Sequence, residues 1–325
     1  MLWLVDRWQS RNLLSLALWP LSLLYCVVAV LRRWLYLSGI LRSYGHDIPV
    51  VVVGNITVGG AGKTPFVIWF ANWLRAQGHR PGIVLRGYGG KSNDWPLSVN
   101  DSTSATEAGD EAVLLARQTG CPVVAAPDRV AAIQKLLSTH DCTIVLSDDG
   151  LQHYRMRRDL EIAVVDGARR YGNAFCLPAG PLREPRWRAD RADLIVVNGP
   201  HGTDELGMTI EATGFRNVSD GRVVAPDYFS GRPVHAIAGI GNPYRFFGTL
   251  EKLGLQIIAH PFPDHYRFAP ADIRPIDGSD VIMTEKDAVK CESFADARHW
   301  ALMVTALPDE RLTNQLTEWL EGEIG

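Results

Sequence analysis

The chain has 325 residues, which is enough for one large domain or two of medium size. Its hydrophobic content of 46% is ordinary for a folded protein, and its net charge of -3 argues against a nucleic-acid-binding protein that relies on bulk electrostatic attraction. The five cysteines are scattered without a C-x-x-C pair, so free thiols in a reducing cytosol fit better than disulfides or zinc ligands.

The first predicted element is an apolar helix near the N-terminus. Residues 13–31 carry no charge and would extend roughly 28 Å as a helix, close to the thickness of the hydrocarbon core of a bilayer. Arginines flank this segment on both sides and tryptophans lie in or near it, as is typical of membrane anchors. A cleaved signal peptide and a buried core helix are the alternatives. Pro20 leaves open whether the anchor spans the bilayer or lies half-inserted in it.

A glycine-rich turn follows the first predicted strand, at residues 50–53, and precedes a predicted helix. The turn contains Thr57, Val58, Gly59, Gly60, Ala61, Gly62, Lys63 and Thr64. The order strand, turn, Lys-Thr and helix predicts a loop whose backbone N–H groups surround the phosphates of a nucleoside triphosphate. Lys63 would reach the outer phosphates and the Thr64 hydroxyl would bind Mg²⁺. Thr57 stands where the usual pattern has its first glycine, so the alternative is a flexible turn that happens to contain a lysine.

Strands and helices alternate along most of the chain. The predicted strands are residues 50–53, 82–85, 122–125, 143–146, 162–165, 194–197, 234–238, 255–258, 281–283 and 301–304. The predicted helices are residues 64–77, 110–119, 129–138, 243–253 and 308–320, with others near Arg188 and Lys286. Residues 201–227 read as a connector of short strands. The pattern predicts a mainly parallel sheet with helices on both faces, then a smaller second domain, with ligands at the carboxyl ends of the strands.

Two aspartates, Asp148 and Asp149, end the apolar strand that begins at residue 143. This is the form of a Walker B element, which holds Mg²⁺ directly or through water. A strand that ends in a solvated Asp-Gly turn is the alternative. Adjacent side chains of a strand point to opposite sides, so the two carboxylates need not share one role. Gln152 and His153 continue the same loop, where a plain polar surface is the other interpretation.

Further candidate residues lie in three turns. Arg86 stands among glycines after the second strand and can approach an anionic group, although a surface turn fits equally well. Asp110 opens a helix, where it either caps the helix or accepts a hydroxyl proton. Arg183 and Glu184 end a Pro/Gly-rich turn, and such an arginine suits the transition-state charge of phosphoryl transfer.

The second domain carries fewer signals. The turn at residues 238–243 lacks the third glycine of a dinucleotide fingerprint, which argues against NAD. His265 stands alone in a loop, where most histidines are structural. Thr284 and Lys286 follow a strand and would line the cleft between the domains.

An ordered set of segments resembles the tetraacyldisaccharide 4'-kinase family, the lipid A 4'-kinases of Gram-negative bacteria. The segments are GNITVGGAGKTP at residues 54–65, RGYGG at 86–90, GDE at 109–111, DDGLQH at 148–153, LPAGPLRE at 177–184, AGIGNPYRFF at 238–247, FPDHY at 262–266 and MTEKDAVK at 283–290. They cover most of the chain in order, and the position of Thr57 looks like a family trait.

The resemblance implies a reaction and residue roles. The γ-phosphate of ATP would pass to the 4'-hydroxyl of a tetraacyldisaccharide 1-phosphate, a lipid substrate, by direct in-line transfer with Mg²⁺. Catalytic roles are implied for Lys63, Arg183, Asp110 as base and His265 as its partner across the cleft. Metal ligation is implied for Thr64, Asp148 and Asp149. Contacts with the substrate or the transferred phosphate are implied for Arg86, Tyr88, Gln152, His153 and Glu184.

The predicted fold class is α/β, with a P-loop NTPase-like, mainly parallel sheet, a smaller C-terminal α/β domain and an N-terminal membrane helix. We expect a membrane-anchor helix at residues 1–40, a P-loop kinase domain at 41–200, a linker at 201–230, which the resemblance implies is two-stranded, and the smaller domain at 231–325. The resemblance places the protein at the bacterial inner membrane with its active site on the cytoplasmic side. We expect no nucleic-acid partner and no obligate protein partner.

Two other classes of protein remain as alternatives. A membrane-associated regulatory ATPase of the positioning or partitioning type has a similar phosphate loop. It carries a lysine just before the glycine pair, however, where this chain has Val58. A structural, membrane-anchored nucleotide-binding module is the second alternative.

Overall fold

A computed structural model of the chain describes residues 7–100, 102–274 and 277–324, so the first six residues of the predicted anchor lie outside the described part. The apolar N-terminal segment forms helix α1 (Leu13–Leu37), which continues through Pro20. The side chain of Asn12 caps its first turn by accepting a hydrogen bond from the backbone N–H of Ser15. The helix is long and apolar enough to cross a membrane, with a mean hydropathy of 2.2 over 18 residues.

The first half of the chain alternates strands and helices as expected. Its strands are β1 (Val50–Gly54), β2 (Pro81–Leu85), β3 (Leu97–Val99), β4 (Val123–Ala125), β5 (Ile144–Asp148), β6 (Leu160–Asp166) and β7 (Leu194–Asn198). Its helices after α1 are α2 (Lys63–Ala76), α3 (Ala105–Ala108), α4 (Asp110–Thr119) and α5 (Arg129–Thr139), with a 3₁₀ helix at Arg186–Arg191.

The second half repeats this alternation on a smaller scale. Its strands are β8 (Leu206–Asn217), β9 (Val223–Val224), β10 (Pro233–Ala238), β11 (Gln256–Pro261), β12 (Val281–Thr284) and β13 (His299–Pro308). Its helices are α6 (Pro243–Lys252), α7 (Glu285–Cys291) and α8 (Glu310–Ile324), with a 3₁₀ helix at Pro270–Ile273.

The strands of the described residues form one sheet in the order β11-β10-β12-β13-β8-β7-β6-β1-β5-β2-β4-β3, with β9 on β8. Most pairs are parallel; the antiparallel pairs are β13 with β8, β3 with β4 and β9 with β8. Apolar residues of α2 cover one face of the first half, and those of α5 cover the other. The prediction of a mainly parallel α/β sheet with helices on both faces is confirmed.

The connector is the main difference from the predicted elements. Residues 201–227 were expected to form short strands, but β8 has twelve residues and pairs along most of its length with β13. The pairing partner lies far away in sequence, so local pattern could not show it. The last helix, α8, places Leu312, Leu316 and Leu320 in the core of the first half. The predicted domain boundaries stay a prediction.

Candidate functional site

The glycine-rich turn folds into a tight loop between β1 and α2. Gly62 has a φ of 92°, in the region that favours glycine, and a Cβ atom there would lie 2.1 Å from the Asn198 side-chain nitrogen. That nitrogen donates a hydrogen bond to the backbone oxygen of Ala61. The Arg169 guanidinium donates to the oxygen of Gly60 at 2.6 Å. Side chains from elsewhere in the sheet therefore fix the shape of the loop.

Lys63 begins α2 and its ammonium group points to the neighbouring strand. Its Nζ atom lies 3.0 Å from Asn55 Oδ1 and 3.3 Å from Asp149 Oδ1. Lys63 and Asp149 come this close because β1 and β5 are parallel neighbours in the sheet, with Val53 opposite Asp148. Thr64 is the next residue of the same first turn. The phosphate loop and the aspartate pair thus form one site.

Asp149 links two cations. Its Oδ2 atom accepts a hydrogen bond from Arg183 at 2.8 Å, while Oδ1 faces Lys63. Burial alone would raise the pKa of this carboxyl group, but Lys63 and Arg183 outweigh it and hold the pKa well below its usual value. Asp149 is therefore ionised at neutral pH, and it brings Arg183 to the phosphate loop.

Asp148 has a different environment. Burial, with the nearby charge of Glu111, raises the pKa of its carboxyl group to about 7. Within the described residues its Oδ1 atom is buried without a hydrogen-bond partner. The guanidinium of Arg129, also buried, donates to the backbone oxygen of Asp148 rather than to its carboxylate. A buried carboxylate with an unsatisfied oxygen suits a cation ligand.

The described residues hold no group of three or more His, Cys, Asp or Glu side chains that could bind a metal ion alone. Mg²⁺ usually takes one or two carboxylates and completes its shell with phosphate oxygens and water. Asp148, Asp149 and the Thr64 hydroxyl fit that mode of binding.

Asp110 and His265 meet between the two halves of the sheet. Asp110 is the first residue of α4 and is nearly buried, and its Oδ1 atom accepts a hydrogen bond from the backbone N–H of Glu111. Its Oδ2 atom lies 3.3 Å from Nδ1 of His265, in the loop after β11. Burial would raise the pKa of Asp110, but the hydrogen bond with His265 and the charge of Lys286 lower it. Asp110 therefore carries its charge at neutral pH.

Arg86 and Tyr88 are exposed in the turn after β2. The ring of Tyr88 lies against His265, with centroids 4.6 Å apart. Because β2 neighbours β5, this turn borders the aspartate pair on one side and the Asp110–His265 pair on the other.

Gln152 and Glu184 lie near the start of the glycine-rich loop, and His153 is the next residue after Gln152. Gln152 donates to the backbone oxygen of Asn55 and to the Glu184 carboxylate. Glu184 is buried and also accepts a hydrogen bond from the Tyr154 hydroxyl. Burial and the nearby charge of Arg129 lower the pKa of His153 to about 4, so it is neutral at physiological pH. The predicted substrate contacts of these side chains stay predictions.

Lys286 of α7 was predicted to line the cleft without a defined role, and Lys290 of the same helix was not singled out. Nζ of Lys286 lies 2.9 Å from Glu111, 3.8 Å from Asp264 and 3.5 Å from Nε2 of His265. Nζ of Lys290 lies 3.8 Å from Asp110 and 2.6 Å from Asp287. The only sequence signal was the position of Lys286 directly after a strand.

Comparison with known proteins identifies the family to which this chain is similar. Residues 14–321 match the family described as tetraacyldisaccharide-1-P 4'-kinase. The chain is 49% identical over 302 residues to a tetraacyldisaccharide 4'-kinase from Nitrosococcus oceani, which covers 93% of this chain and 89% of the relative. It is 50% identical over 306 residues to one from Alkalilimnicola ehrlichii, with 92% and 91% covered. Among solved structures, it is similar to the "apo" form of LpxK from Aquifex aeolicus in complex with ATP, with a TM-score of 0.82 and 31% identity over 96% of this chain and 100% of that one.

Proposed function

The chain belongs to the tetraacyldisaccharide-1-P 4'-kinase family, and from this premise we propose how its residues carry out the reaction. It is an ATP-dependent kinase of lipid A biosynthesis that phosphorylates the 4'-hydroxyl of a tetraacyldisaccharide 1-phosphate. The observation that carries the assignment of roles is the position of Asp149 between Lys63 and Arg183. It joins the phosphate loop, the strand-end carboxylates and Arg183 in one place.

The loop from Thr57 to Thr64 holds the triphosphate of ATP. Its backbone N–H groups and the positive end of α2 bind phosphate oxygens. When ATP enters, Lys63 leaves its contact with Asp149 and binds the outer phosphates. Arg183 then neutralises the charge that spreads over the transferred phosphoryl group.

Asp148, Asp149 and Thr64 hold Mg²⁺ together with ATP. The ion, when bound, neutralises charge on the phosphate oxygens and helps to align the triphosphate. The unsatisfied Oδ1 atom of Asp148 supports this assignment. Because the pKa of Asp148 is raised by burial, the carboxyl group needs a nearby cation to stay ionised at neutral pH.

Asp110 and His265 activate the sugar hydroxyl. Asp110 is ionised and its Oδ2 atom faces Nδ1 of His265, so the pair can orient the 4'-hydroxyl and accept its proton as the phosphorus–oxygen bond forms. The two residues come from different halves of the sheet. Closing these halves around the substrate would therefore assemble the site and exclude water.

Arg86 and Tyr88 lie on the acceptor side of the site, whereas Gln152, His153 and Glu184 lie near the start of the phosphate loop. The exposed guanidinium of Arg86 suits an anionic group of the substrate, and the exposed ring of Tyr88 suits a sugar face. Gln152 and Glu184 act from behind by supporting the backbone next to the phosphate loop. His153, being neutral, contributes a hydrogen bond rather than a charge.

Helix α1 holds the enzyme at the cytoplasmic surface of the inner membrane. Its less exposed residues line one stripe against the rest of the protein, whereas most of its large apolar residues face outward. The stripe consists of Ser15, Leu18, Ser22, Cys26, Ala29, Arg33, Leu35 and Tyr36. Because the rest of the protein packs against the helix along most of its length, a helix that crossed the bilayer would carry polar protein into the hydrocarbon core. The helix therefore lies along the interface, where a lipid substrate can reach the site without leaving the bilayer.

Transfer of labelled phosphate tests this proposal directly. Incubating the protein with MgATP labelled at the γ-position and tetraacyldisaccharide 1-phosphate in mixed micelles should yield a labelled lipid on a thin-layer plate. Lys63→Ala should abolish the labelled lipid. Hydrolysis of ATP without a lipid product would favour the regulatory ATPase instead, and near-normal transfer by Lys63→Ala would refute the role of the phosphate loop.

A further inference from the structure

The loop that carries Arg183 (residues 176–184, called the Arg183 loop) is hydrogen-bonded to the phosphate loop along one side. The backbone N–H of Val58 donates to the oxygen of Pro181 at 2.8 Å, and the N–H of Arg183 donates to the oxygen of Ile56 at 2.6 Å. Thr57 and Leu182 form an antiparallel bridge between these contacts. A displacement of the Arg183 loop would therefore also move the backbone that receives the triphosphate.

The N-terminal helical region contacts the opposite side of the same loop. The buried hydroxyl of Ser22 donates to the backbone oxygen of Cys176 at 2.8 Å. The Tyr25 hydroxyl donates to the backbone oxygen of Arg183 at 3.0 Å. Just before α1, the indole N–H of the buried Trp8 donates to the oxygen of Pro178 at 3.2 Å. The Arg183 loop thus lies between the membrane helix and the phosphate loop.

Arg183 is fixed at three points by three different parts of the chain. The backbone oxygen of Ile56 accepts a hydrogen bond from its N–H, the Tyr25 hydroxyl donates one to its backbone oxygen, and the Asp149 carboxylate accepts one from its guanidinium. We propose that Tyr25, on the membrane helix, is a positioning residue that keeps Arg183 aligned for phosphoryl transfer. This inference rests on the role of Arg183 in the proposed function.

Alignment matters because phosphoryl transfer depends on preorganised charge. A cation that is displaced by about 1 Å from its aligned position loses much of its effect on the developing charge. Without the Tyr25 hydroxyl, the oxygen of Arg183 loses a donor and the loop loses a contact directly at the residue that must be aligned. Tyr25 is 37% exposed, on a helix that we place in the membrane interface, so lipid rather than bulk water would surround the rest of its ring. Reduced competition from water would strengthen the hydrogen bond there.

The competing explanation is that Tyr25 acts only as an interfacial aromatic residue or as a contact for the acyl chains of the substrate. The two roles differ in kinetics. A lipid contact is made before the chemical step and its loss raises KM for the lipid, whereas loss of alignment lowers kcat.

Tyr25→Phe tests the proposal because it keeps the ring and removes only the hydroxyl group. In mixed micelles, kcat should fall about 3- to 10-fold, the range expected for one neutral hydrogen bond, with little change in KM for ATP or lipid. Tyr36→Phe, on the same helix but outside the contact with the Arg183 loop, is the matched control and should retain the wild-type kcat. Flotation with vesicles should be the same for both variants.

A double-mutant cycle shows whether Tyr25 acts through Arg183. In an Arg183→Ala background, adding Tyr25→Phe should lower kcat no further. An equal loss in both backgrounds, an unchanged kcat for Tyr25→Phe, or a higher KM for the lipid alone would each overturn the inference. If Arg183→Ala itself kept full activity, the proposed role of Arg183 would fail and this inference with it. A low kcat for Arg183→Ala beside a normal one for Tyr25→Phe would refute the inference alone.

Discussion

Nδ1 of His265 lies 3.3 Å from the carboxylate of Asp110, although one residue lies in a loop of the second half of the chain and the other begins a helix of the first half. The ring of Tyr88 covers the histidine on another side. This contact depends on how the two halves are placed, so it is sensitive to any opening between them. It gives the proposed site a direct link between closure and the activation of the acceptor hydroxyl.

Asp110→Asn separates a catalytic role of Asp110 from a structural one. Asparagine can still accept the hydrogen bond from the backbone N–H of Glu111, but it lacks the charge that faces His265 and Lys290, so thermal stability should fall modestly. The amide cannot accept the sugar proton, and kcat should fall about 100-fold or more. Thermal unfolding and steady-state kinetics would measure the two effects. Normal turnover with this variant would leave Asp110 with a structural role only.

Lys286→Met should weaken both the site and the contact between the halves. The lysine on α7 faces Glu111 of α4 and lies close to Asp264 and His265. Without its charge these carboxylates lose a shared cation, and the free energy of unfolding should fall by about 1.5–3 kcal/mol, the range for a hydrogen bond to a charged group. Thermal unfolding and kcat would both be measured, with the exposed Lys252→Met as control. Equal losses of stability and kcat in the two variants would show that Lys286 contributes no more than an exposed lysine.

Local sequence was sufficient to predict that the glycine-rich loop and the aspartate pair lie together. The phosphate loop and Asp148–Asp149 each lie at a strand end, and a parallel sheet brings adjacent strand ends together. The long strand β8 was missed because its partner β13 follows it by most of the second half of the chain. Lys290 and the buried Tyr154 partner of Glu184 were missed for the same reason: their contacts join segments that have no common local pattern. The pairing of Asp110 with His265 was expected from family resemblance and from no pattern in the sequence.

Asp148→Asn should make the metal-free protein more stable than the wild type as the pH rises. The folded wild type retains the Asp148 proton up to a pH of about 7, whereas the unfolded chain releases it near the ordinary value of 3.8. The folded state therefore binds more protons in this interval, and its stability falls as pH increases. Asparagine removes that dependence. Melting temperatures in EDTA should show the difference between variant and wild type widening from pH 5 to pH 7.5, and a constant difference would contradict the raised pKa.

The outward face of α1 should determine membrane binding. Leu16, Leu24 and Leu31 are exposed apolar residues on the side of the helix away from the body. Replacing all three with serine removes roughly 2 kcal/mol of apolar transfer free energy for each leucine that enters the lipid. Flotation with vesicles of bacterial phospholipids should therefore fall at least 10-fold for the triple variant.

The matched control for that variant changes three apolar residues that are equally exposed elsewhere. Ile258, Leu307 and Val223 are 48%, 43% and 56% exposed, and all three lie on strands of the second half. Serine at these positions should leave flotation unchanged, because the proposed lipid contact is confined to α1. Ser22→Leu provides the opposite test: it adds apolar surface to the helix but disrupts the stripe packed on the body, so it should impair kcat without weakening flotation. If both triple variants floated like the wild type, the body itself would carry the membrane-binding surface and α1 would serve only to brace the Arg183 loop.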